Sequence, residues 1–272
     1  MTLYFDHLVH QVPSPENMKV FLNKRHIHTV NGGQHTMWGT YNTLSYFGLS
    51  YIEQIAVYDR ALYEEAAKLP YSLHYTFKQN NERYGFSRIA LRTTNIEAEA
   101  QRLRALGVEV YGPDACSRTR PDGSIVQWKL LHFGQQGQAI DFPFFIEWAD
   151  GDEERYAHLE ASGALKTTQH ITMESVQFYV QDAMATAKLW QEVLQLEEPE
   201  VHSAFIALHL PNIRLDFYEE AAATKMMLGR KCEGPFGVTL RDSDRSKETL
   251  IFPDAFYWLN PQYVQKIRSC SL

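Results

Sequence analysis

Four polar residues, His7, Glu53, Arg88 and Glu147, stand in segments whose other residues are typical of buried strands. Side chains alternate between the two faces of a strand, so each of the four shares a face with apolar neighbours two positions away. Burying an imidazole, a carboxylate or a guanidinium is costly unless the group has a partner. The pattern therefore predicts that these side chains interact with one another or with a bound molecule.

A second set of candidates surrounds a glycine pair. His35 follows Gly32-Gly33 on a predicted connection, close in sequence to Trp38 and Asn42. A histidine on such a connection either acts as a general base or lid contact, or simply caps and packs. Both interpretations of His35 stay open, and Trp38 and Asn42 are candidate ligand contacts.

Arg118 and Arg120 precede a predicted turn, Pro121-Asp122-Gly123, and Trp128 lies just beyond it. Two guanidinium groups at a turn either bind a carboxylate or phosphate or remain solvated. Cys116 has no activating neighbour beyond Arg118, so the sequence does not favour a nucleophilic cysteine there.

The elements that must position these residues repeat along the chain. A strand, a helix that Ser14 caps, and two or three further strands form the first unit, and the order recurs with Thr94 or Asn95 and then Asp182 as predicted caps. Such self-similarity indicates a repeated βαβββ module. The predicted units are a first module at 1–59, a helical linker at 60–83, a second module at 84–150, a connector at 151–173, a third module at 174–220, and a partial module or tail at 221–272.

Composition narrows the class of protein. The chain has 272 residues and a net charge of −7, and it lacks the clustered Lys and Arg that a nucleic-acid or anionic-membrane surface needs. No apolar run long enough for a membrane span, no leader and no phosphate-cradling glycine loop is apparent, so we expect no nucleotide cofactor. Three widely spaced cysteines favour a reducing, cytoplasmic location.

Several segments together resemble the glyoxalase-like domain family of the vicinal oxygen chelate superfamily, which also contains glyoxalase I, extradiol dioxygenases and bleomycin-resistance proteins. In chain order these segments are Phe5-Asp6-His7-Leu8-Val9, Gly33-Gln34-His35, Trp38-Gly39-Thr40, Tyr51-Ile52-Glu53, Arg118-Thr119-Arg120-Pro121-Asp122-Gly123 and Pro143-Phe144-Phe145-Ile146-Glu147-Trp148. The resemblance implies an α+β fold in which tandem βαβββ modules form cupped mixed sheets with helices on the outer faces.

The resemblance also implies where a metal would bind, because relatives take ligands from the first and last strands of each module. Those positions are His7 and Glu53 in module one, Arg88 and Glu147 in module two, and approximately Ser175 and Asp216 in module three. His7, Glu53 and Glu147 would suit one divalent ion, Mn, Fe, Ni, Co or Zn. Arg88 departs from the pattern, since guanidinium does not ligate metals.

Three interpretations of this site stay open: a metal centre, a buried ion-pair network in which Arg88 pairs with Glu147 or Glu53, and an organic-anion site built on Arg88. The corresponding functions are an enzyme, of lyase, isomerase or dioxygenase type, acting on a small oxygenated or anionic metabolite between modules one and two, or a metal-free binding protein. For the enzyme, Glu53, His35 and Glu147 are the candidate catalytic residues. We also expect a homodimer, because a third cupped module would leave a sheet face to cover.

Overall fold

The computed structural model describes residues 2–119, 123–166, 170–220, 233–242 and 248–261. The first half of the chain contains two successive βαβββ units. Their elements are β1 (Tyr4–Gln11), α1 (Pro15–Asn23), β2 (Val30–His35), β3 (Thr40–Phe47) and β4 (Ser50–Val57), then β5 (Gly85–Arg92), α4 (Ile96–Ala105), β6 (Glu109–Thr119), β7 (Ile125–Gly134) and β8 (Phe144–Trp148). Between the units lie α2 (Arg60–Ala66) and α3 (Leu73–Gln79).

The second half begins with α5 (Asp152–Ala161) and continues with a third βαβββ unit. Its elements are β9 (Ile171–Tyr179), α6 (Ala183–Leu194), β10 (Glu200–Val201), β11 (Ile206–Leu210) and β12 (Ile213–Tyr218). Three more strands follow: β13 (Gly234–Asp242), β14 (Glu248–Phe252) and β15 (Ala255–Pro261).

Two curled mixed sheets result, as the resemblance implied, so the α+β class is confirmed. The first sheet has the strand order β2-β3-β4-β1-β5-β8-β7-β6, and the second has β10-β11-β12-β9-β13-β15-β14. In the first sheet the opening strands of the two modules, β1 and β5, pair antiparallel at the centre, while β1 with β4 and β5 with β8 pair parallel. The opening and closing strands of both modules therefore lie side by side.

Helix starts follow the capping residues in the sequence. The side chains of Ser14, Asn95 and Asp182 each accept a hydrogen bond from a first-turn backbone N–H, which confirms the predicted starts of α1, α4 and α6. The predicted connection at Gly32-Gly33 is different, because both glycines lie within β2. Gly33 pairs with Asn42 of β3, and Gly32 lies at the irregularity in the register between Asn31 and Gly33. Within the described residues, none of the helices is both long enough and apolar enough to cross a bilayer.

The helix-covered faces of the two sheets share one hydrophobic core. Trp190 of α6 lies in it, 1% exposed, with its ring 6.3 Å from Phe142 of the first half and 5.3 and 5.4 Å from Phe178 and Phe217 of the second sheet. Large aromatic side chains contribute strongly to core stability. The two halves are thus joined by packing, and the opposite face of the first sheet is left free to form a cavity.

Replacing Trp190 by alanine tests this joint core. We expect Trp190→Ala to lower the free energy of unfolding by about 3–5 kcal/mol, since it leaves a large void between the halves. Met184→Ala on the same helix is the matched control, because Met184 is 37% exposed and its loss should cost under about 1 kcal/mol. Urea unfolding measures both, and equal effects would contradict the shared core.

Candidate functional site

A cavity of about 230 Å³ lies on the face of the first sheet opposite its helices. Its walls are largely apolar and aromatic, and side chains of both modules contribute to them. The segment between the modules closes one side, because Ala66, Leu69, Ser72, Leu73 and His74 all line the cavity. The stretch that the sequence presented as a linker is therefore part of the site.

His7 and Glu53 face this cavity from adjacent parallel strands, β1 and β4. Nε2 of His7 is 3.8 Å from Oε2 of Glu53, and both side chains are almost fully buried. The imidazole stacks on Tyr51 with 4.6 Å between ring centroids, which fixes its plane. Alternation along the two strands thus places a base and an acid side by side, as predicted.

Asp6 holds the other side of the His7 ring. A bulge in the pairing of β1 with β5, between Phe5 and His7, turns both Asp6 and His7 away from the helices. The Asp6 carboxylate is 2.8 Å from Nδ1 of His7. Because an ionised carboxylate only accepts hydrogen bonds, Nδ1 must donate and Nε2 is left to exchange a proton in the cavity.

Several groups stabilise the buried charge of the Asp6 carboxylate. It accepts a hydrogen bond from Nε1 of Trp148 at 2.9 Å, and the guanidinium groups of Arg92 and Arg155 lie 3.4 and 3.6 Å away. Burial alone would raise the pKa of Asp6, but the His7 hydrogen bond and the charges of Arg155 and Arg92 hold it well below its ordinary value. Asp6 was not among the predicted site residues, although it stands next to His7 in the sequence.

Asn42 connects Glu53 to Arg118. Its amide nitrogen donates to Oε1 of Glu53 at 2.5 Å, and its oxygen accepts from the Arg118 guanidinium at 3.0 Å. A Cβ on Gly32 would lie only 1.9 Å from that amide oxygen, so the glycine is required for the close approach. Asn42 and Arg118, both predicted as ligand contacts, therefore line the cavity beside Glu53.

His35, Trp38 and Trp128 meet on another part of the wall. The His35 ring is 5.5 Å from Trp38 and 6.3 Å from Trp128, and its Nδ1 is 3.0 Å from Oγ1 of Thr40. Burial, with smaller effects from nearby charges including Arg118, lowers the pKa of His35 to about 3. The neutral ring is thus a polar wall residue that lies beside Trp38, its neighbour in the sequence, and beside Trp128 from β7.

The prediction that Glu147 faces the cleft is wrong. Its carboxylate accepts a hydrogen bond from the backbone N–H of Ile96 at 2.8 Å, on the helix side of the sheet. The residues of β8 that line the cavity are Phe144, Ile146 and Trp148. Glu147 therefore stabilises the start of α4, and an isoleucine occupies the cavity-facing position beside it.

The predicted ion pair of Arg88 is also wrong, because Arg88 pairs with neither Glu147 nor Glu53. Its guanidinium donates to the backbone oxygen of Tyr71 at 2.5 Å, to Oγ1 of Thr76 at 3.1 Å, and to the backbone oxygen of Phe142. Arg88 is 3% exposed and is not among the residues that line the cavity. It ties the segment before α3 to the segment before β8, which is a structural role.

The remaining predicted positions fall elsewhere. Arg120 lies outside the described residues, as do the first two residues of its predicted turn. Cys116 lines the cavity, but burial raises the pKa of its thiol to about 12, so it stays protonated. In the second sheet, Asp216 is held by two hydrogen bonds from Arg214 and Ser175 accepts one from Gln177, so both positions are engaged.

The residues present do not fit a divalent metal. Only His7 and Glu53 of the predicted ligands converge, and Ile146 stands where a third would be needed. Across the described residues, no cluster of three or more His, Cys, Asp or Glu could hold an ion. Protein metal sites of this type use three or more side-chain ligands.

Two histidines outside the predicted set of site residues also line the cavity. His74 extends from α3 and His132 from β7, and both are buried. Burial lowers the pKa of His74 to about 4, and burial together with Arg88 and His74 lowers the pKa of His132 to about 3. Neither position had a signal in the sequence, because each lies alone in a segment typical of a helix or strand.

These neutral histidines predict a pH-dependent fold. His10, His35, His74 and His132 have folded pKa values of about 3 to 4, whereas an unfolded histidine titrates near 6.5. The unfolded chain then binds more protons, so the free energy of unfolding should fall as pH drops below about 6.5, by up to about 1.4 kcal/mol per pH unit and histidine. Urea unfolding at about pH 7.5, 6.5 and 5.5 measures this.

His10→Phe is the internal check, because it removes one titrating ring from a cluster of aromatic side chains away from the cavity. Its pH slope should be shallower by about one proton. A wild-type free energy of unfolding that is the same at all three pH values would show that the rings are not neutral.

Metal titration tests the conclusion that His7, Glu53 and Glu147 do not form a metal site. We expect protein purified without chelator or metal-affinity tag to contain substoichiometric metal, and Mn, Fe, Ni, Co and Zn to bind weakly, because only two ligands converge. Elemental analysis and calorimetry measure both quantities. One tightly bound equivalent that disappears in His7→Ala and Glu53→Ala alike would show that a metal completes the site.

Comparison with known proteins identifies the fold. The family model described as "Glyoxalase-like domain" matches residues 5–194, well over half of the chain. A crystal structure of a hypothetical protein from Staphylococcus aureus is similar, with a TM-score of 0.84 and 25% identity over 95% of this chain and 99% of that chain. No curated protein matches.

Two further solved structures match little more than half of the chain. A hypothetical protein from Bacillus halodurans has a TM-score of 0.40 and 17% identity over 56% of this chain and 98% of its own. Methylmalonyl-CoA epimerase from Mycobacterium tuberculosis has a TM-score of 0.37 and 16% identity over 54% of this chain and 88% of its own. The chain belongs to the glyoxalase-like domain family.

Proposed function

We propose that this protein is an enzyme that moves a proton to and from a small, oxygenated, anionic metabolite bound in the cavity of the first sheet. The observation that carries the proposal is the pair of His7 and Glu53, 3.8 Å apart on the cavity wall. General acid–base catalysis needs titratable groups held within reach of the substrate, and few other cavity residues are charged.

The hydrogen bonds around His7 and Glu53 indicate which part each residue takes in the proposed proton transfer. Asn42 engages Oε1 of Glu53, which leaves Oε2 to take a proton from the substrate. His7 lies next to that oxygen, and Asp6 on its far side stabilises the imidazolium that forms if the proton passes on. Glu53 is therefore the proposed base, and Asp6 is a positioning residue.

Arg118 is the proposed anchor for the anionic group. It is the only Lys or Arg among the described residues that line the cavity, and it is linked to Glu53 through Asn42. When Glu53 removes a proton from a carbon next to a carbonyl group, the electron pair moves to the carbonyl oxygen. A nearby guanidinium stabilises the enolate that results.

Deuterium exchange tests this proposal without knowledge of the natural substrate. Small 2-oxo acids with and without an aromatic ring carry a carboxylate, an apolar body and an acidic C–H bond, which are the features that the cavity would recognise. We expect at least one of them to exchange its C3 protons in D2O faster with the wild-type protein, and Glu53→Gln to slow this exchange by about 10²–10⁴-fold. Proton NMR measures the exchange, and calorimetry measures binding.

Glu147→Gln is the matched control, because Glu147 faces the helix side of the sheet and should leave the exchange rate unchanged. If Glu53→Gln and Glu147→Gln behave alike, Glu53 is not the base. If ligands bind to the wild-type protein but none exchanges, the protein is a binding protein instead, the alternative left open by the sequence.

A further inference from the structure

His74 and His132 have unpartnered nitrogens at the cavity wall, a feature that the proposed proton transfer does not use. Nε2 of His74 and Nδ1 of His132 are buried without a hydrogen-bond partner among the described residues. His35, the neighbouring cavity imidazole, differs because Oγ1 of Thr40 engages its Nδ1. Buried polar atoms in folded proteins are rarely left unpaired, so the pair has capacity for hydrogen bonds with the cavity's contents.

The surroundings keep both rings uncharged. The His74 ring is 5.4 Å from Trp38, and the His132 ring is 5.8 Å from Phe144. The buried guanidinium of Arg88 further disfavours a charge on His132. A neutral imidazole has one donor and one acceptor nitrogen, so two of them suit a group that both donates and accepts.

A hydroxyl group meets that requirement, whereas a carboxylate only accepts and an ammonium only donates. The Arg118 side of the cavity is different, since it presents a permanent cation. Between these polar groups the walls are flat and apolar, with the rings of Trp38, Trp128, Trp148 and Phe144. Aromatic walls favour a flat aromatic ligand.

The size of the cavity limits the ligand further. One water molecule requires roughly 10–15 Å³ of such a cavity, so about 230 Å³ admits roughly 15–20 non-hydrogen atoms. This is enough for a single aromatic ring with two short substituents.

We propose that His74 and His132 form a second polar subsite, which binds the hydroxyl group of a small aromatic acid whose carboxylate lies at Arg118. The inference rests on the proposed function in placing the ligand in this cavity, and it deepens that proposal by naming the class of ligand. It does not depend on proton transfer by Glu53.

Binding of paired probes tests the subsite. The probes are 4-hydroxybenzoate, 4-hydroxyphenylacetate and 3-(4-hydroxyphenyl)propanoate, each compared with its counterpart that lacks the hydroxyl group. The three lengths cover different separations between the two ends. By calorimetry, we expect the hydroxylated member of at least one pair to bind the wild-type protein about tenfold more tightly than its counterpart, as one or two buried hydrogen bonds would give.

Variants show which residues cause the preference for the hydroxylated probe. His74→Phe and His132→Phe keep a ring of similar size but remove the nitrogens, so the preference for the hydroxyl group should shrink to about twofold or less while binding of the counterpart is retained. Arg118→Gln should weaken both members of a pair equally. His10→Phe is the matched control, a buried histidine outside the cavity lining whose loss should leave the preference unchanged.

Three results would overturn the inference: equal binding within every pair, a preference that survives both histidine variants, or no binding of any probe at about 10 mM. The first two would leave the cavity as a ligand site whose histidines bind only water. The two proposals can fail separately. If the protein prefers the hydroxylated probes but its Glu53→Gln variant still exchanges deuterium at the wild-type rate, the subsite is upheld and Glu53 is not the base.

Discussion

The buried carboxylate of Asp6 is the charge on which the arrangement of the first sheet depends. It lies on β1 and accepts from His7 of the same strand, while its other partners come from β5, β8 and α5 through Arg92, Trp148 and Arg155. An unpaired buried carboxylate would be strongly destabilising, so these elements must stay together for Asp6 to remain charged. The same contact fixes the His7 ring, so the stability of the module interface and the geometry of the site have one cause.

The cavity combines that fixed pair with groups that burial keeps neutral. His35, His74 and His132 line the walls as uncharged imidazoles, because the apolar surroundings penalise their protonated forms. Charge in the described part of the cavity is concentrated at Glu53, Asp114 and Arg118. A ligand would therefore meet Glu53 and Arg118, joined through Asn42, on one part of the wall, Asp114 on β6, and neutral imidazoles between the aromatic rings.

The two modules of the first sheet are alike in backbone but not in chemistry. Module one presents His7 and Glu53 to the cavity, whereas the β8 strand of module two presents Phe144 and Ile146. In the second sheet the corresponding positions are engaged internally, with Asp216 held by Arg214. The three units thus share the strand order, while the polar residues at equivalent places line a cavity, accept a hydrogen bond from a helix start, or form an ion pair.

Local rules in the sequence determined the order of strands and helices, the helix caps at Ser14, Asn95 and Asp182, and the shared face of His7 and Glu53, because each depends on neighbours a few residues away. The sequence did not determine which face of the sheet Glu147 occupies. Phe144, Phe145 and Ile146 make both faces of this short strand apolar, so the alternation of side chains does not show which face lines the cavity. The partners of Arg88, the bulge that turns Asp6, and the approach of His74 to His132 were decided only by the tertiary structure. Each of these depends on contacts between segments far apart in the chain, which local pattern does not specify.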